Sequence, residues 1–218
     1  MSTVPATARG NRTKAKLLEA AEIVFARYGY TEASVVRITE EAGVGQGTFY
    51  LYFASKLAIF EELVEDLNRR VRHAMSEAAA GESNRIDSER AGFRAFFAFT
   101  AEHPALYRVV REAEFVSPRS LRLHYSRIVE GYISGLEEAR GSGEVGDIDP
   151  TVAAWALMGI GEMIGMRWVL WGDGSPTGDG SDPTASGTSA VPEAVFEEMM
   201  RFIQRALAAP SEAEGEGH

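Results

Sequence analysis

Between positions 46 and 52 the chain places an amide, three hydroxyl groups and an apolar tip: Gln46, Thr48, Tyr50, Leu51 and Tyr52. None of these has a base beside it that would make it a nucleophile. Their chemistry is non-covalent, consisting of hydrogen bonds and apolar contact. Phe49 and Phe53 are four apart and share one face of a short helix. They pack inward with Val44 and Ile38, which leaves Gln46, Gly47, Thr48, Tyr50, Leu51 and Tyr52 outside. Two tyrosines and a leucine on an exposed short helix make physical sense when that surface enters a groove.

Catalytic alternatives find little support. The chain has no cysteine, which removes disulfide scaffolds, cysteine-based zinc sites and thiol chemistry. Its histidines, at 73, 103, 124 and 218, have no metal-ligand spacing such as H-E-x-x-H. No nucleophile, base and orienting group fall together. The expectation is a protein that is not an enzyme, with no catalytic residue, no metal ligand and no cofactor.

The elements that must position the exposed helix are helical. From Thr13 to Tyr28 apolar residues recur as Leu18, Ala21, Phe25 and Tyr28, a 3.6-residue period. Gly29 ends that helix. Ser34 is suited to cap a short helix from Val35 to Ala42. Gly43 breaks it, and Gln46 to Phe53 forms a third. Ser55 can cap a long fourth helix, Lys56 to about Ala80, and further helices follow at about 88–103, 104–115, 118–140, 150–171 and 193–208. No alternating pattern long enough for a strand occurs. The two short helices meeting at Ala42-Gly43-Val44 form the pattern of a helix-turn-helix. The small Ala42 permits close approach, and Gly43 can take the positive φ of the corner.

On Phe25, Gly29-Tyr30, Ser34-Val35, Ile38, Ala42-Gly43-Val44, Gly47-Thr48-Phe49-Tyr50, Tyr52-Phe53 and Ser55-Lys56, residues 13 to about 60 resemble the TetR family of transcriptional regulators. The resemblance implies an all-α fold. Residues 10–55 would be a three-helix helix-turn-helix DNA-binding domain, and 56–209 a larger helical domain for effector binding and dimerisation. A mobile loop at 172–191 and a disordered tail at 210–218 complete the organisation. It implies a homodimer on a palindromic double-stranded DNA operator, with one recognition helix in each of two successive major grooves. Thr48, Tyr50 and Tyr52 would contact phosphates or bases, Lys56 would contact phosphate, and Ser34 and Arg37 would flank the same strand. Gly47 would let the backbone approach DNA. Two positions depart from the usual pattern. Gly45 stands where a capping serine is common, and Leu51 stands where a polar residue is common and could meet a thymine methyl.

The remainder matches the family only in being helical and of suitable length. The resemblance gives it a small apolar or amphipathic effector, with the helices 150–171 and 192–208 forming the dimer. Interior glycines cost about 1 kcal/mol each against alanine, so Gly159, Gly161 and Gly165 suggest a close neighbour, whether another helix or a ligand. Candidate ligand contacts are Phe96, Phe97, Tyr107, Arg108, Arg111, Phe115, Arg122, Tyr125, Trp155 and Trp168. The arginines between 108 and 127 would suit an anionic head on an apolar tail, and a fatty acyl thioester fits that description. The expected function is a ligand-responsive transcriptional repressor. The alternatives are a multidrug-sensing repressor using Glu112, Glu114 or Glu162, and an effector-independent regulator or activator.

The charge balance bears on this directly. The chain carries −10 overall, which at first opposes DNA as a partner. Residues 1–58 nevertheless hold seven basic and five acidic side chains, a net +2, which leaves −12 for the rest. The basic segment at the start, with Arg9, Arg12, Lys14 and Lys16, suits a tail or a DNA-contacting arm. No apolar signal segment opens the sequence, and the apolar stretch 152–171 is interrupted by Glu162 and Arg167. The expected location is therefore cytoplasmic, with no membrane partner.

Overall fold

The computed structural model describes residues 8–171 and 191–209. Among them every regular element is helical: α1 (Ala8–Glu32), α2 (Val35–Ala42), α3 (Gln46–Tyr52), α4 (Lys56–Ala79), α5 (Arg85–Glu102), α6 (Ala105–Val116), α7 (Pro118–Ser142), α8 (Pro150–Gly165) and α9 (Glu193–Leu207). The all-α fold expected from periodicity is the fold observed. None of these helices is long and apolar enough to cross a membrane. The loop expected at 172–191, apart from Val191, and the tail expected at 210–218 lie outside the described residues.

Two elements differ from their expected bounds. Helix α1 begins at Ala8 rather than Thr13. Between Ala8 and Lys16 only Gly10, Asn11 and Thr13 are poor helix formers, while Ala, Arg and Lys favour the helix. Arg9, Arg12, Lys14 and Lys16 therefore stand on a helix and not on an extended arm. Helix α8 stops at Gly165 and continues as a π-helical turn, Met166–Leu170. Its closing bond runs from Trp171 N–H to Met166 O at 3.1 Å, five residues back.

Contacts divide the chain into two compact units. The first holds the described residues up to Arg70 together with His103–Tyr125. The second holds Val71–Glu102 and the described residues from Ser126 onward. Helices α4 and α7 each contribute to both.

In the first unit α1 packs against α2 and α6, and α2 against α3. Phe25, Ile38, Phe49, Phe53, Phe60 and Leu63 are buried there. Burying a side chain of this size stabilises by about 1.5–3 kcal/mol. The Phe25 and Phe60 rings meet edge-on at 5.3 Å, and Tyr30 meets Phe60 at 5.0 Å, joining the end of α1 to α4. Two polar bridges add to this. Buried Asn68 donates to His124 O at 2.9 Å. His103 Nδ1 lies 2.8 Å from Glu22 Oε1, and Arg70 donates to Glu22 Oε2 at 3.0 Å.

The second unit closes around Phe93, Phe97, Tyr132, Leu136, Leu157, Phe196 and Ile203. The glycine run of α8 finds part of its explanation here. A Cβ on Gly161 would lie 2.8 Å from Cε1 of Phe93, so α8 approaches α5 of the same chain closely. Helix α9 is tied to α5 through Arg94, which donates to both carboxylate oxygens of Glu193 at 3.0 and 2.6 Å. Its guanidinium lies 4.1 Å from the Phe196 ring centroid. Glu89 on α5 is only 3% exposed and pairs with Arg85 one turn earlier.

Burial pushes the Glu89 carboxyl above its ordinary value of 4.5, against the opposing pull of Arg85. A carboxyl raised in this way binds its proton more tightly in the folded state. Its contribution to stability is present below the unfolded value and is lost as pH rises through the folded one. Glu89→Gln removes that titration. The unfolding free energy of the variant relative to the parent should therefore climb as pH rises from about 4.5 towards neutrality, followed by urea unfolding. A flat difference would mean that Glu89 titrates alike in both states.

Candidate nucleic-acid interface

The corner between α2 and α3 is built from local chemistry. Ser34 is extended (φ −136°, ψ 156°), and its Oγ accepts from Arg37 N–H at 3.2 Å, capping α2. At the other end Gly43 is left-handed (φ 65°, ψ 37°). Gly43 N–H donates to Glu40 O at 3.1 Å and Val44 N–H to Thr39 O at 3.0 Å, the paired bonds of a Schellman ending. Helix α3 then starts at Gly45, which offers no side-chain cap. Instead its carbonyl accepts from Thr48 N–H at 2.9 Å and Phe49 N–H at 3.3 Å.

Phe49 and Phe53 anchor α3 from beneath, both buried, with ring centroids 5.6 Å apart. Tyr50 and Leu51 stand outward, each 57% exposed. Gln46 and Gly47 are exposed, and Thr48 and Tyr52 are half-buried. The outer surface expected from the spacing is thus assembled on one short, rigidly anchored helix. Arg37 is exposed on α2 with its guanidinium 4.3 Å from the Tyr28 ring centroid. Ser34 is half-buried and spends its hydroxyl on the cap.

Lys56 has a different placement from the one expected. Its ammonium donates to Tyr30 O at 2.7 Å, Thr31 O at 3.3 Å and Ala33 O at 2.7 Å. It also lies 4.4 Å from the Tyr30 ring centroid. An ammonium has three hydrogens, and here all three meet carbonyls at the end of α1. The ammonium therefore clamps the start of α4 to the α1–α2 connection. Sequence spacing gives no hint of this, because its acceptors are backbone atoms.

Arg108 also departs from expectation. It donates to Ala26 O at 2.7 Å instead of facing an apolar space, while Glu112, one turn on, accepts from Tyr30 N–H at 2.8 Å. Between these contacts α1 kinks at Gly29 (φ 69°, ψ 174°). The backbone conformation there favours glycine, and a Cβ would sit 2.5 Å from Glu112 Oε1, so a side chain would displace that carboxylate.

The ten residues expected to contact an effector are divided, six in the first unit and four in the second. Tyr107 is buried, Tyr125 lies edge-on to His124 at 5.3 Å, and Arg111 and Arg122 are exposed. Phe115 is 85% exposed. In the second unit Phe97 stacks on Phe93 at 6.2 Å and Phe96 meets Phe97 at 5.6 Å. Arg167 lies over Trp168 at 5.2 Å, and Trp155 is exposed.

None of the ten lines a half-open cavity of about 690 Å³ that α4, α5 and α7 border within the second unit. Its walls carry Arg72, Arg85, Glu89, Arg127 and Tyr132, with Gly92 and Gly131 between them. In the sequence these residues are spread over three separate helices, and of them only Arg127 falls in the arginine run between 108 and 127.

Residues 17–63 match the family model for bacterial regulatory proteins of the tetR family. The uncharacterized HTH-type transcriptional regulator YdgC of Bacillus subtilis is 45% identical over 64 residues, which cover 29% of this chain and 33% of that protein. The chain spans between a third and about half of the length of the first curated relatives it matches. Among solved structures, a TetR-family regulator from Rhodococcus sp. superposes with a TM-score of 0.72 at 18% identity, covering 91% of this chain and 100% of that one. The regulator FadR from Bacillus subtilis, in complex with stearoyl-CoA, gives 0.69 at 20% identity, covering 87% and 96%. At these identities the structural likeness concerns the fold.

The Lys56 clamp can be tested by stability. Lys56→Met keeps much of the stem and removes the donors, leaving three carbonyls without their charged partner. The unfolding free energy should fall by about 1.5–3 kcal/mol in urea titrations. An unchanged midpoint would show that water replaces the ammonium without loss.

Proposed function

We propose that the chain, whose residues 17–63 match the family model for bacterial regulatory proteins of the tetR family, is a ligand-responsive transcriptional repressor binding a palindromic operator as a homodimer. One observation carries the reading: α3 presents Tyr50 and Leu51 outward from a helix pinned by buried Phe49 and Phe53, beyond a left-handed glycine corner. In this reading residues 10–55 meet DNA. Thr48, Tyr50 and Tyr52 supply hydroxyls to phosphates and base edges, Leu51 supplies apolar contact, and Gln46 an amide. Gly47 lets the backbone come close, and Arg37 flanks the site. Lys56 contributes by holding the α1–α2 connection.

Dimerisation in this reading uses α8 and α9. Val152, Trp155 and Met163 are exposed on α8, and Phe202 on α9. Large apolar side chains grouped in this way mark a protein contact. A second copy brings the same surface across a two-fold axis, as a symmetric dimer requires. Residues 56–209 would also hold the effector. The fold shared with a regulator solved with stearoyl-CoA supports an apolar or amphipathic molecule, such as a fatty acyl thioester. Binding of that effector would favour a state with weaker operator affinity, typically by a coupling of about 1–3 kcal/mol.

Selection of random duplexes by the full chain, followed by footprinting, tests the reading. The enriched sites should be palindromic, with half-site centres about 10 base pairs apart or a multiple of that. Tyr50→Ala should lower operator affinity by about 1–3 kcal/mol while leaving the melting curve in place. Failure to enrich any duplex would overturn the DNA-binding reading, and undiminished affinity in the variant would remove α3 as the recognising face. Trp155→Glu sets like charges against each other across the two-fold axis, and light scattering should then report a monomer. A dimer unaffected by it would place the interface elsewhere.

A further inference from the structure

Two arginines of the first unit share one aromatic ring. The Arg37 guanidinium lies 4.3 Å from the Tyr28 ring centroid, and that of Arg27 lies 5.9 Å from it. Both are within the roughly 6 Å over which a ring attracts a cation. The two guanidiniums are therefore no farther apart than the sum of those distances. Arg27 and Arg37 are exposed, and Tyr28 is half-buried between the helices that carry them.

Nothing neutralises this pair. Among the described residues neither guanidinium forms an ion pair or a side-chain hydrogen bond. Glu40 and Glu41 stand three and four positions after Arg37, the spacing at which helical ion pairs form, yet Arg37 turns to Tyr28 instead. A stack occupies the face of a guanidinium and leaves its edge of N–H donors open, and that planar fork is the one that matches phosphate. Lys56 and Arg108, which meet the same end of α1, spend donors on backbone carbonyls. Arg27 and Arg37 keep theirs.

Their place in the fold suits an anion of one kind. In a helix-turn-helix the first helix crosses the phosphate backbone. Arg37 stands in the first turn of α2, where its own N–H is the one that Ser34 caps. Arg27 stands on α1, outside the two short helices. Along one DNA strand a phosphate follows every ~3.4 Å of axis, so guanidiniums this close can meet neighbouring phosphates of the same strand.

We propose that Arg27 and Arg37 form a paired seat for the phosphates of one operator strand, and that Tyr28 is the positioning residue that holds both. The seat rests on the DNA-binding reading above and adds to it a contact from α1. The Tyr28 ring fixes the two forks before DNA arrives, which lowers the ordering cost of binding.

Affinity of the full chain for a selected operator, measured over a range of salt concentrations, tests the proposal. Log affinity falls against log salt with a slope of about 0.9 for each phosphate neutralised. Arg27→Gln and Arg37→Gln should each flatten that slope by about 0.9 and weaken binding by roughly tenfold. Tyr28→Leu should weaken binding about two- to fivefold, whereas Tyr28→Phe, which keeps the ring, should bind as the parent does. In a chain carrying both arginine replacements, Tyr28→Leu should cost nothing further. All comparisons are between variants with the parent's melting temperature. The proposal is overturned if either arginine variant keeps the parent's slope, if Tyr28→Phe loses as much as Tyr28→Leu, or if Tyr28→Leu costs the same with and without the arginines. Tyr50→Ala separates the seat from the reading it rests on. An operator bound by the parent and weakened by Tyr50→Ala, with the arginine variants unchanged, removes the seat and keeps the DNA-binding reading. A parent that binds no duplex removes both.

Discussion

The carboxyl end of α1 is the point to which the first unit is tied. A helix ends with carbonyls that have no partner of its own, and here neighbouring helices supply them. Lys56 at the start of α4 takes those of Tyr30, Thr31 and Ala33, and Arg108 on α6 takes that of Ala26. Glu112, also on α6, accepts the N–H of Tyr30. Hydrogen bonds to charged groups are worth about 1.5–3 kcal/mol each. Even heavily discounted for non-additivity, the set is sizeable against the roughly 5–15 kcal/mol that holds a domain folded. The Glu112 bond depends on Gly29, because a side chain there would occupy the place of the carboxylate.

What this knot holds is the orientation of α2 and α3. Helix α2 follows the connection that Lys56 grips, and Ser34 caps it two residues after Glu32 ends α1. Helix α3 follows from α2 through a corner with almost no freedom, fixed by the paired bonds at Gly43 and Val44. The outward position of Tyr50 and Leu51 is therefore inherited from the end of α1. Groove recognition requires side chains held to within a fraction of an ångström, and a chain of short, saturated connections is one way to achieve it.

The parts of this arrangement that were legible in the sequence are those whose causes are local. A serine three residues before the amide it caps, a glycine at the corner and two phenylalanines four apart each carry their geometry within a few positions. Contacts to distant backbone atoms are not legible in this way. In the sequence Lys56 and Arg108 each read as a charge free to meet phosphate or ligand. Their partners are carbonyls 23 to 82 positions away, and every residue has a carbonyl. Helix α1 reaches back to Ala8 because the helix propensity of Ala, Arg and Lys outweighs the mutual repulsion of the positive run. The cavity of the second unit is not legible for a related reason, since its wall is assembled from residues of three helices far apart in the chain.

The first unit is discontinuous along the chain, and this limits how far the chain can be treated as two interchangeable modules. Residues 103–125 belong by contact with the segment that ends at Arg70. A hybrid regulator made by joining one protein's first 55 residues to another's remainder would set a foreign α6 against this α1. Unless that α6 carried an arginine and a glutamate one turn apart at matching positions, Ala26 and Tyr30 would lose their partners. The natural seam for such a graft takes α6 and the first turns of α7 along with the helix-turn-helix, so that the knot at the end of α1 passes intact from one protein to the other.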